Sequence, residues 1–501
     1  MSYSPSCESA FNDSRLRSDK VTPCSGMCSL CAEGCLGTCE IGLSAVLGEA
    51  MVYPTNTGAN QVAGEKNNPI DYSIFNINGR CFGAVGVPET SDDATIFNVE
   101  LGREFGSKHK IKVNVPFNLP ALIKLNWKDY FAAAAMIGTV CVIGEGAPSK
   151  DPDLVMENGK IKKFDKLKEM LDAFNKYDRG YGQIVLQCNV DDDMQGLPEY
   201  AIKECGCEAI EFKFGQSAKG TQPANRLKNH AEALKEKKGG ILVHPDPEDP
   251  EVIKNIENGN SPVFWKYARL PMWTEETLIA RINELRGMGL KNVYFKMAGF
   301  DKQDMERVLR IASAAEVDMV TYDGAGGGSG YSPSKMMNEF GYPAVAIESA
   351  LVPMCRKLEE EGKYIPYISL TGGFTDEGQA YKALAIGAPY IKSIGLCRAT
   401  MAAAMVGDTV GKQLAAGTVP AHLAKYGDTA DEIFLYKGEL QALYPGKELP
   451  LGAVGAYSYL RKMAFGVQHF AALNRKFNVN AIGPEDVIPL NATAEQLLNY
   501  K

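Results

Sequence analysis

The stretch Thr321-Tyr-Asp-Gly-Ala-Gly-Gly-Gly-Ser-Gly330 holds five glycines and one carboxylate within ten residues. The apolar segment Val317–Val320 before it predicts a strand, and Ser332-Pro333 after it predicts the start of a helix. Glycine has no Cβ, so the chain there can approach a flat or anionic ligand closely. A strand, a glycine-rich loop and a helix in this order are typical of α/β proteins that hold a cofactor. A plain surface loop is the alternative interpretation.

Strand and helix patterns alternate on both sides of this stretch, from about residue 110 onward. Amphipathic segments separate the predicted strands, and Ala224–Lys237 is one of these predicted helices. Eight strands with helical crossovers favour a closed (β/α)8 TIM barrel over an open α/β sheet. With Ile241–His244 as a possible extra strand, the eight predicted strands are Ile111–Val115, Val140–Ile143, Ile184–Gln187, Ala209–Phe214, Val293–Lys296, Val317–Thr321, Ile365–Leu370 and Tyr390–Ile394.

The two ends of the chain differ from the barrel pattern. The first hundred residues are rich in glycine, cysteine and asparagine and show little periodicity, whereas the chain beyond about residue 400 is mainly helical. The sequence therefore predicts a Cys-rich N-terminal extension over residues 1–105, a barrel over residues 106–410 and a helical C-terminal extension over residues 411–501.

Composition excludes several classes of protein. The 501 residues are 45% apolar and 23% charged, as in an ordinary globular protein, and the net charge of −8 argues against a nucleic-acid surface. The sequence lacks a run of about 18 apolar residues and an apolar signal core near its start, so we expect no membrane span and a cytoplasmic location. In that compartment the 13 cysteines should be reduced thiols or metal ligands.

The last two predicted strands end in glycine-containing turns. One reads Thr371-Gly372-Gly373-Phe374 and the other Ser393-Ile-Gly395-Leu-Cys-Arg398. The loops after strands seven and eight of a barrel often cradle a phosphate with backbone N–H groups, and Arg398 adds a positive charge. A simple turn into the next helix is the alternative. With the glycine-rich loop beside them, these turns indicate a flat cofactor that carries a phosphate, such as FMN.

Polar side chains lie at or just after the ends of three other predicted strands. Lys213, Gln216 and Lys219 come after strand four, Lys296 closes strand five, and Glu145 follows strand two. Each lysine alone is more often a solvated surface residue. Because the carboxyl ends of barrel strands meet at one face, the set indicates a site for an anionic substrate.

Five cysteines lie within sixteen residues near the N-terminus. Thiols this close together can close around one metal centre. We expect an iron–sulfur cluster, of the 4Fe–4S type, because a flavin needs an electron source; a structural zinc ion is the alternative. The predicted ligands are Cys24, Cys28, Cys31, Cys35 and Cys39.

Taken together, these motifs resemble the FMN-binding synthase domain of the glutamate synthase family. The resemblance covers about residues 100–410 and rests on Lys213-Phe-Gly-Gln-Ser-Ala-Lys219, Lys296-Met-Ala-Gly-Phe300, Val317–Gly330 and Thr371–Phe374. The chain looks most like the short stand-alone branch, which lacks the glutamine amidotransferase domain.

The resemblance implies an FMN-dependent oxidoreductase that acts on CH–NH2 groups. Reduced FMN would deliver a hydride to 2-iminoglutarate, formed from 2-oxoglutarate and ammonia, in glutamate biosynthesis. Glu145, Lys213 and Lys296 would be catalytic, and Lys213, Gln216 and Lys219 would bind the substrate. The residues that would bind FMN are Lys296, Asp323, Gly324, Gly326, Gly327, Gly328 and Gly330, with Gly372, Gly373, Gly395 and Arg398 at its phosphate.

Three features depart from the family pattern. The sequence leaves no room for an amidotransferase domain, so ammonia would come free or from a glutaminase subunit. The family's cluster cysteines follow the last strand, where this chain reads Ala399-Thr-Met-Ala-Ala-Ala-Met405, so a cluster would use the N-terminal cysteines. The loop 220–226 is not glycine-rich, which leaves the carbon substrate open.

Two other functions remain open. The same FMN chemistry could act on another amine or oxo acid, for example in N-methylglutamate formation, or the chain could be a flavin- and cluster-bearing electron-transfer subunit. No dinucleotide-binding motif follows a predicted strand, so we expect ferredoxin or a reductase subunit as electron donor. We also expect an oligomer.

Overall fold

Eight parallel strands, β1–β8, close into a barrel in chain order, with β8 pairing with β1. The computed structural model describes residues 29–36, 40–48, 70–217, 219–222, 224–325, 327 and 340–499. The topology confirms the predicted (β/α)8 barrel. The strands are Phe117–Leu122, Val140–Ile143, Gln183–Cys188, Ala209–Lys213, Asn292–Ala298, Met319–Asp323, Tyr367–Thr371 and Ile391–Gly395.

The first barrel strand differs from its prediction. The predicted segment Ile111–Val115 does not enter the barrel; Ile111–Val113 pairs antiparallel with Arg103–Phe105, and Phe117–Leu122 is the strand that pairs with β2 and β8. Ile111 and Val113 pack into the apolar cluster at the amino end of the barrel. Their alternating pattern therefore fits a hairpin that covers the barrel floor as well as it fits a barrel strand.

Helices surround the barrel and pack their apolar faces against it. In Lys302–Ala314, for example, Met305, Leu309 and Ala312 are buried at helical spacing, and Asp301 caps the first turn. The helices around the barrel are Trp127–Ile137, Asp165–Asn175, Val190–Met194, Leu197–Cys205, Glu275–Gly287, Lys302–Ala314, Ala344–Glu360, Glu377–Ile386 and Arg398–Ala415.

A small subdomain is inserted after β4. The predicted helix Ala224–Lys237 is wrong at its start: Ala224–Arg226 is a strand, and the helix runs from His230 to Lys238. This strand forms a three-stranded antiparallel sheet, in which Trp265–Tyr267 lies between the other two strands. The predicted extra strand is its third member, Leu242–His244, and the second helix of the insertion is Pro250–Glu257.

The N- and C-terminal extensions pack together on one side of the barrel. Strand Phe75–Ile77 pairs antiparallel with Val487–Pro489, and Leu451–Leu473 packs against Trp127–Ile137 and Arg398–Ala415. The predicted domain boundaries remain predictions. The other helices of the extensions are Ser29–Ala32, Glu40–Leu47, Ala430–Ile433, Lys437–Leu443 and Ala492–Leu498.

The remaining elements are short. A hairpin follows β2, and the 3-10 helices are single turns. They are the strands Val155–Glu157 and Lys160–Lys163 and the 3-10 helices Tyr72–Ile74, Ile96–Asn98, Ala147–Lys150, Ala424–Tyr426, Val479–Ala481 and Pro484–Asp486. Among the helices that the structure describes, none has the length and apolar character that crossing a membrane requires.

The barrel interior changes character from its floor to its mouth. Near the floor the inward side chains are apolar. One layer higher they are polar and buried, which is unusual because barrel interiors are filled mainly by branched apolar residues. Hydrogen bonds within this layer join the Ser369 and Ser393 hydroxyls to Asn118 Oδ1, at 2.6 and 2.9 Å. The polar layer lies beneath the carboxyl ends of the strands, where barrels carry their sites.

Candidate functional site

A cavity opens at the carboxyl ends of the barrel strands. Its lining comes from β1, β5, β6, β7 and β8 and the loops that follow them, and from Gln216 behind β4. Eight residues predicted to bind a cofactor or substrate line it together: Gln216, Lys296, Asp323, Gly327, Gly372, Gly373, Gly395 and Arg398.

Two of the predicted cradle glycines cannot be replaced without a clash. Gly372 has φ +122°, and a Cβ there would lie 2.7 Å from the carbonyl oxygen of Gly324. A Cβ on Gly395 would overlap the Thr371 side chain and approach Pro120. Both glycines line the cavity, so the close approach of β6, β7 and β8 leaves backbone rather than side chains at this part of the wall.

The helix Arg398–Ala415 begins at the cavity wall. Cys397, Arg398 and Ala399 line the cavity, and the first-turn N–H groups of a helix have no partners within that helix. Next to the glycine turns after β7 and β8, this arrangement suits an anion such as a phosphate.

Asp323 joins two strands and one loop at the mouth. Its Oδ1 accepts a hydrogen bond from the Thr371 hydroxyl at 2.5 Å, and its Oδ2 accepts one from the Ser217 N–H at 3.0 Å. The carboxylate thereby connects β6 with the end of β7 and with the loop after β4, while it still lines the cavity.

Lys296 is a buried cation at the centre of the mouth. Its side chain projects from β5, and only 5% of the residue is exposed. Burial alone would lower the pKa of Lys296, but the carboxylates of Asp323 and Glu211 outweigh it and raise that pKa above its ordinary value. Lys296 is therefore a fixed positive charge beside the cavity.

Glu145 and two lysines form an ionic cluster next to the cavity. The Nζ atom of Lys213 lies 2.6 Å from Glu145 Oε1, and that of Lys219 lies 3.7 Å from the same oxygen. Although burial opposes ionisation, these two cations lower the pKa of Glu145 to about 2. Burial lowers the pKa of Lys213 to about 8, against the pull of Glu145. At neutral pH Lys213 is therefore protonated but close to its titration point.

Gln216 connects this cluster with the cavity. Its Oε1 accepts a hydrogen bond from Lys213 Nζ at 2.9 Å, and its Nε2 donates one to the carbonyl oxygen of Gly327 at 3.2 Å. Glu145, Lys213 and Lys219 do not line the cavity themselves but lie behind Gln216. Gly326, Gly328, Gly330 and the predicted helix start at Ser332-Pro333 lie outside the described residues.

Three supporting residues escaped the sequence prediction. Asn189 Nδ2 donates to Glu145 Oε2 at 3.3 Å, and Gln187 Oε1 accepts from the Glu145 N–H at 3.3 Å. Gln187 also donates to Glu211 at 2.5 Å. Glu211 could have been found, because it precedes Lys213 by two residues in a strand and must share its face. No sequence pattern of this kind indicated Asn189 or Gln187.

The predicted metal ligands are only partly described. Cys31 is buried and Cys35 half-buried, whereas Cys24, Cys28 and Cys39 lie outside the described residues. Within the ranges given above, no three His, Cys, Asp or Glu side chains are grouped to hold a metal ion. The neighbouring Leu36 carbonyl contacts His422 at 2.8 Å, just past the end of the helix Arg398–Ala415. The metal site therefore remains a prediction.

Comparison with known proteins gives one sequence match. Residues 264–406, which include β5 to β8, match the family model of the conserved region in glutamate synthase. The search of curated proteins gave no match.

Several solved structures are similar at low identity. The flavin-binding domain of baker's yeast flavocytochrome b2 is 13% identical with a TM-score of 0.46, over 84% of this chain and 78% of that chain. A soluble mutant of the membrane-associated (S)-mandelate dehydrogenase from Pseudomonas putida is 12% identical with a TM-score of 0.44, over 83% of this chain and 88% of that chain.

The match and the site coincide. Lys296, Asp323 and the glycine turns after β7 and β8 all fall within residues 264–406. This part of the chain therefore matches the conserved region in glutamate synthase, as its sequence motifs predict.

Proposed function

We propose that the chain is an FMN-dependent oxidoreductase that forms glutamate from 2-oxoglutarate and ammonia. One observation carries the proposal. The region that matches glutamate synthase supplies a buried lysine and four cavity-lining glycines, and the Glu145–Lys213–Lys219 cluster lies directly behind the same cavity. A flat anionic cofactor and a dicarboxylate substrate would then meet at one barrel mouth.

The residues present fit FMN. The cavity is lined by backbone at its glycine turns and by the charged side chains of Lys296, Asp323 and Arg398. Gly372, Gly373, Gly395 and the first turn after Cys397 would hold the phosphate, with Arg398 adding charge. Lys296 would face an electron-rich edge of the ring system. Asp323 and Gly327 would line its remaining side.

Lys213, Gln216 and Lys219 would bind 2-oxoglutarate. The Lys219–Glu145 distance of 3.7 Å is longer than the Lys213–Glu145 distance of 2.6 Å. Lys219 is therefore the cation more readily turned toward an incoming carboxylate, while Lys213 stays fixed by Glu145 and Gln216. A carboxylate here would gain charge-assisted hydrogen bonds in a partly buried place.

The reaction would use the cluster for proton transfer. Ammonia adds to the ketone carbon of 2-oxoglutarate and water leaves, so the carbonyl oxygen must gain protons on its way out. Lys213, with a pKa of about 8, can donate a proton from Nζ near neutral pH. When bound and reduced, FMN supplies the hydride that converts the imine carbon into the α-carbon of glutamate. Glu145 stays ionised and stabilises positive charge that develops at the nitrogen.

The partners follow from the same chemistry. Each turnover consumes two electrons, which ferredoxin or a reductase subunit would restore. Ammonia would come free or from a glutaminase subunit. The N-terminal cysteines would hold a 4Fe–4S cluster or zinc.

A different amine or oxo acid is the second candidate. The Thr221 methyl and the Phe300 ring lie close to Gly215, beside the loop that carries Lys219. Side chains therefore occupy space next to the substrate lysines, and they could select another carbon substrate or a methylated amine.

Anaerobic turnover distinguishes these candidates. Protein loaded with FMN and reduced by dithionite is mixed with a panel of 2-oxo acids, each with ammonium or methylamine. We expect flavin reoxidation and glutamate formation only with 2-oxoglutarate plus ammonium. Faster reoxidation with another pair would establish the second candidate, and no reoxidation with any pair would contradict both.

A further inference from the structure

Asp192 contacts the loop that carries Glu145, although it lies on a different element. It belongs to the short helix Val190–Met194 behind β3, and only 2% of the residue is exposed. Its Oδ2 accepts a hydrogen bond from the Gly146 N–H at 2.9 Å. The same oxygen accepts the N–H of Asn189 at 3.1 Å. One buried carboxylate oxygen thus joins the loop after β2 to the loop after β3.

Glu145 is held from both sides by this arrangement. The N–H of Glu145 donates to Gln187, and the N–H of the next residue, Gly146, donates to Asp192. Asn189, whose Oδ1 accepts the Asp192 N–H at 2.9 Å, donates from Nδ2 to the Glu145 carboxylate. The main chain and the side chain of Glu145 are therefore both anchored to residues 187–192.

The acidic residues before and after Asp192 in the sequence form ion pairs with other elements. Asp191 forms an ion pair with Arg269 of the insertion, and Asp193 lies 2.9 Å from Arg281 on the helix Glu275–Gly287. Within the described part of the chain, neither of these two carboxylates hydrogen-bonds to the loop that carries Glu145. Asp193 is thus a matched control, since it is the same residue type on the same helix but has a different partner.

We propose that Asp192 is a positioning residue that fixes the Glu145 loop, so that Glu145 meets Lys213 and Lys219 in the reactive arrangement. Its link to catalysis rests on the proposed function. A buried N–H group that loses its acceptor costs free energy, and Asp192 Oδ2 is the acceptor for two such groups. Loss of Asp192 would leave both N–H groups without their acceptor, and the loop would shift. A displacement of about 1 Å at a reacting group can cost about a hundredfold in rate.

Hydrogen exchange measured by mass spectrometry tests the anchoring without any activity. In Asp192→Ala we expect faster exchange in peptides that cover residues 144–150, in purified protein under native conditions. Asp192→Asn keeps one acceptor oxygen and should restore most of the protection, which also covers the case in which Asp192→Ala fails to fold. Asp193→Asn should leave these peptides unchanged. Equal exchange of residues 144–150 in Asp192→Asn, Asp192→Ala and wild type would overturn the anchoring.

Steady-state kinetics test the link to catalysis. We expect kcat/KM for the oxo acid to fall about tenfold or more in Asp192→Ala. It should recover to within about threefold in Asp192→Asn and stay near the wild-type value in Asp193→Asn. Wild-type kinetics in Asp192→Ala would overturn the positioning role. An inactive wild type that shows the expected exchange pattern would contradict the proposed function and leave the anchoring supported.

Discussion

The positive charge of Lys213 is favoured by the nearby Glu145 carboxylate and disfavoured by burial. Burial has the largest effect and lowers the pKa of Lys213 to about 8, and the positive charges of Lys219 and Lys296 act in the same direction. Glu145, whose Oε1 lies 2.6 Å from Lys213 Nζ, acts in the opposite direction. In the proposed reaction the ammonium form of Lys213 would both donate a proton and attract the dicarboxylate. Neutral Lys213 would do neither.

The pH dependence of turnover tests this role. We expect kcat/KM for the oxo acid to fall as the pH rises through about 8, because Lys213 becomes neutral there. Lys213→Arg keeps the charge up to much higher pH, so this inflection should disappear even if the activity is lower. An inflection near 8 that persists in Lys213→Arg would assign it to another group.

A substitution of Arg398 tests whether this side chain binds the phosphate group of FMN. Replacing it with glutamine removes a cation at the cavity wall, and we expect FMN affinity to drop about 10- to 100-fold, the value of a hydrogen bond to a charged group. Riboflavin, which has no phosphate, should bind both proteins equally. Lys412→Gln, an exposed cation on the same helix, is the control in fluorescence titrations. Equal losses for both flavins would place Arg398 away from the phosphate.

Glu348 is a buried carboxyl group outside the site. Burial raises the pKa of Glu348 well above its ordinary value of 4.5, so the folded protein holds this proton when the unfolded chain has lost it. Its contribution to stability is therefore fully present below about pH 4.5 and is lost as the pH rises toward the raised pKa.

Glu348→Gln should remove this pH dependence. We expect equal unfolding free energies for variant and wild type near pH 4, and an advantage for the variant of about 1–3 kcal/mol near pH 7. Urea denaturation at both pH values gives the comparison. Parallel pH profiles for the two proteins would show that Glu348 does not titrate in this way.

At the scale of elements, the strand predictions succeed where local pattern and burial agree. Seven barrel strands overlap the predicted segments, because apolar runs such as Val140–Ile143 are buried on both faces. The first strand was misplaced, since Ile111–Val113 shows the same pattern in the floor hairpin. The start of the predicted helix Ala224–Lys237 was wrong because pairing with Trp265–Tyr267, more than thirty residues away, decides its conformation.

The helices Leu451–Leu473 and Arg398–Ala415 pack closely, and a glycine-to-alanine substitution tests this contact. A Cβ on Gly455 of Leu451–Leu473 would lie 2.7 Å from the Ala403 carbonyl oxygen and 3.1 Å from Gly407 Cα. Gly455→Ala should therefore lower the unfolding free energy by about 1–3 kcal/mol.

Gly438 provides the control for this substitution. It lies in the helix Lys437–Leu443 with open space around its Cβ position, so Gly438→Ala should be neutral or slightly stabilising. Urea denaturation compares both variants with wild type. Equal stability of the Gly455 and Gly438 variants would contradict the packing of these two helices.

For the whole molecule, sequence patterns predict which loops lie together at the barrel mouth but not which hydrogen bonds connect them. The glycine turns and mouth lysines were predictable, because all barrel strands end at one face. The hydrogen bonds that join the Glu145 loop to Asn189, Gln187 and Asp192 were not, since they depend on the relative placement of β2 and β3. The pairing of Phe75–Ile77 with Val487–Pro489 joins segments more than four hundred residues apart, and no local pattern encodes it.

The central claim is that the barrel mouth binds FMN. The most direct measurement is the visible absorption spectrum of anaerobically purified protein, with FMN quantified after denaturation and added FMN titrated into any protein without flavin. We predict a flavin spectrum that approaches one FMN per chain, and its loss on mutation of Lys296 and Arg398 together. A colourless protein that takes up no FMN in the titration would contradict the account.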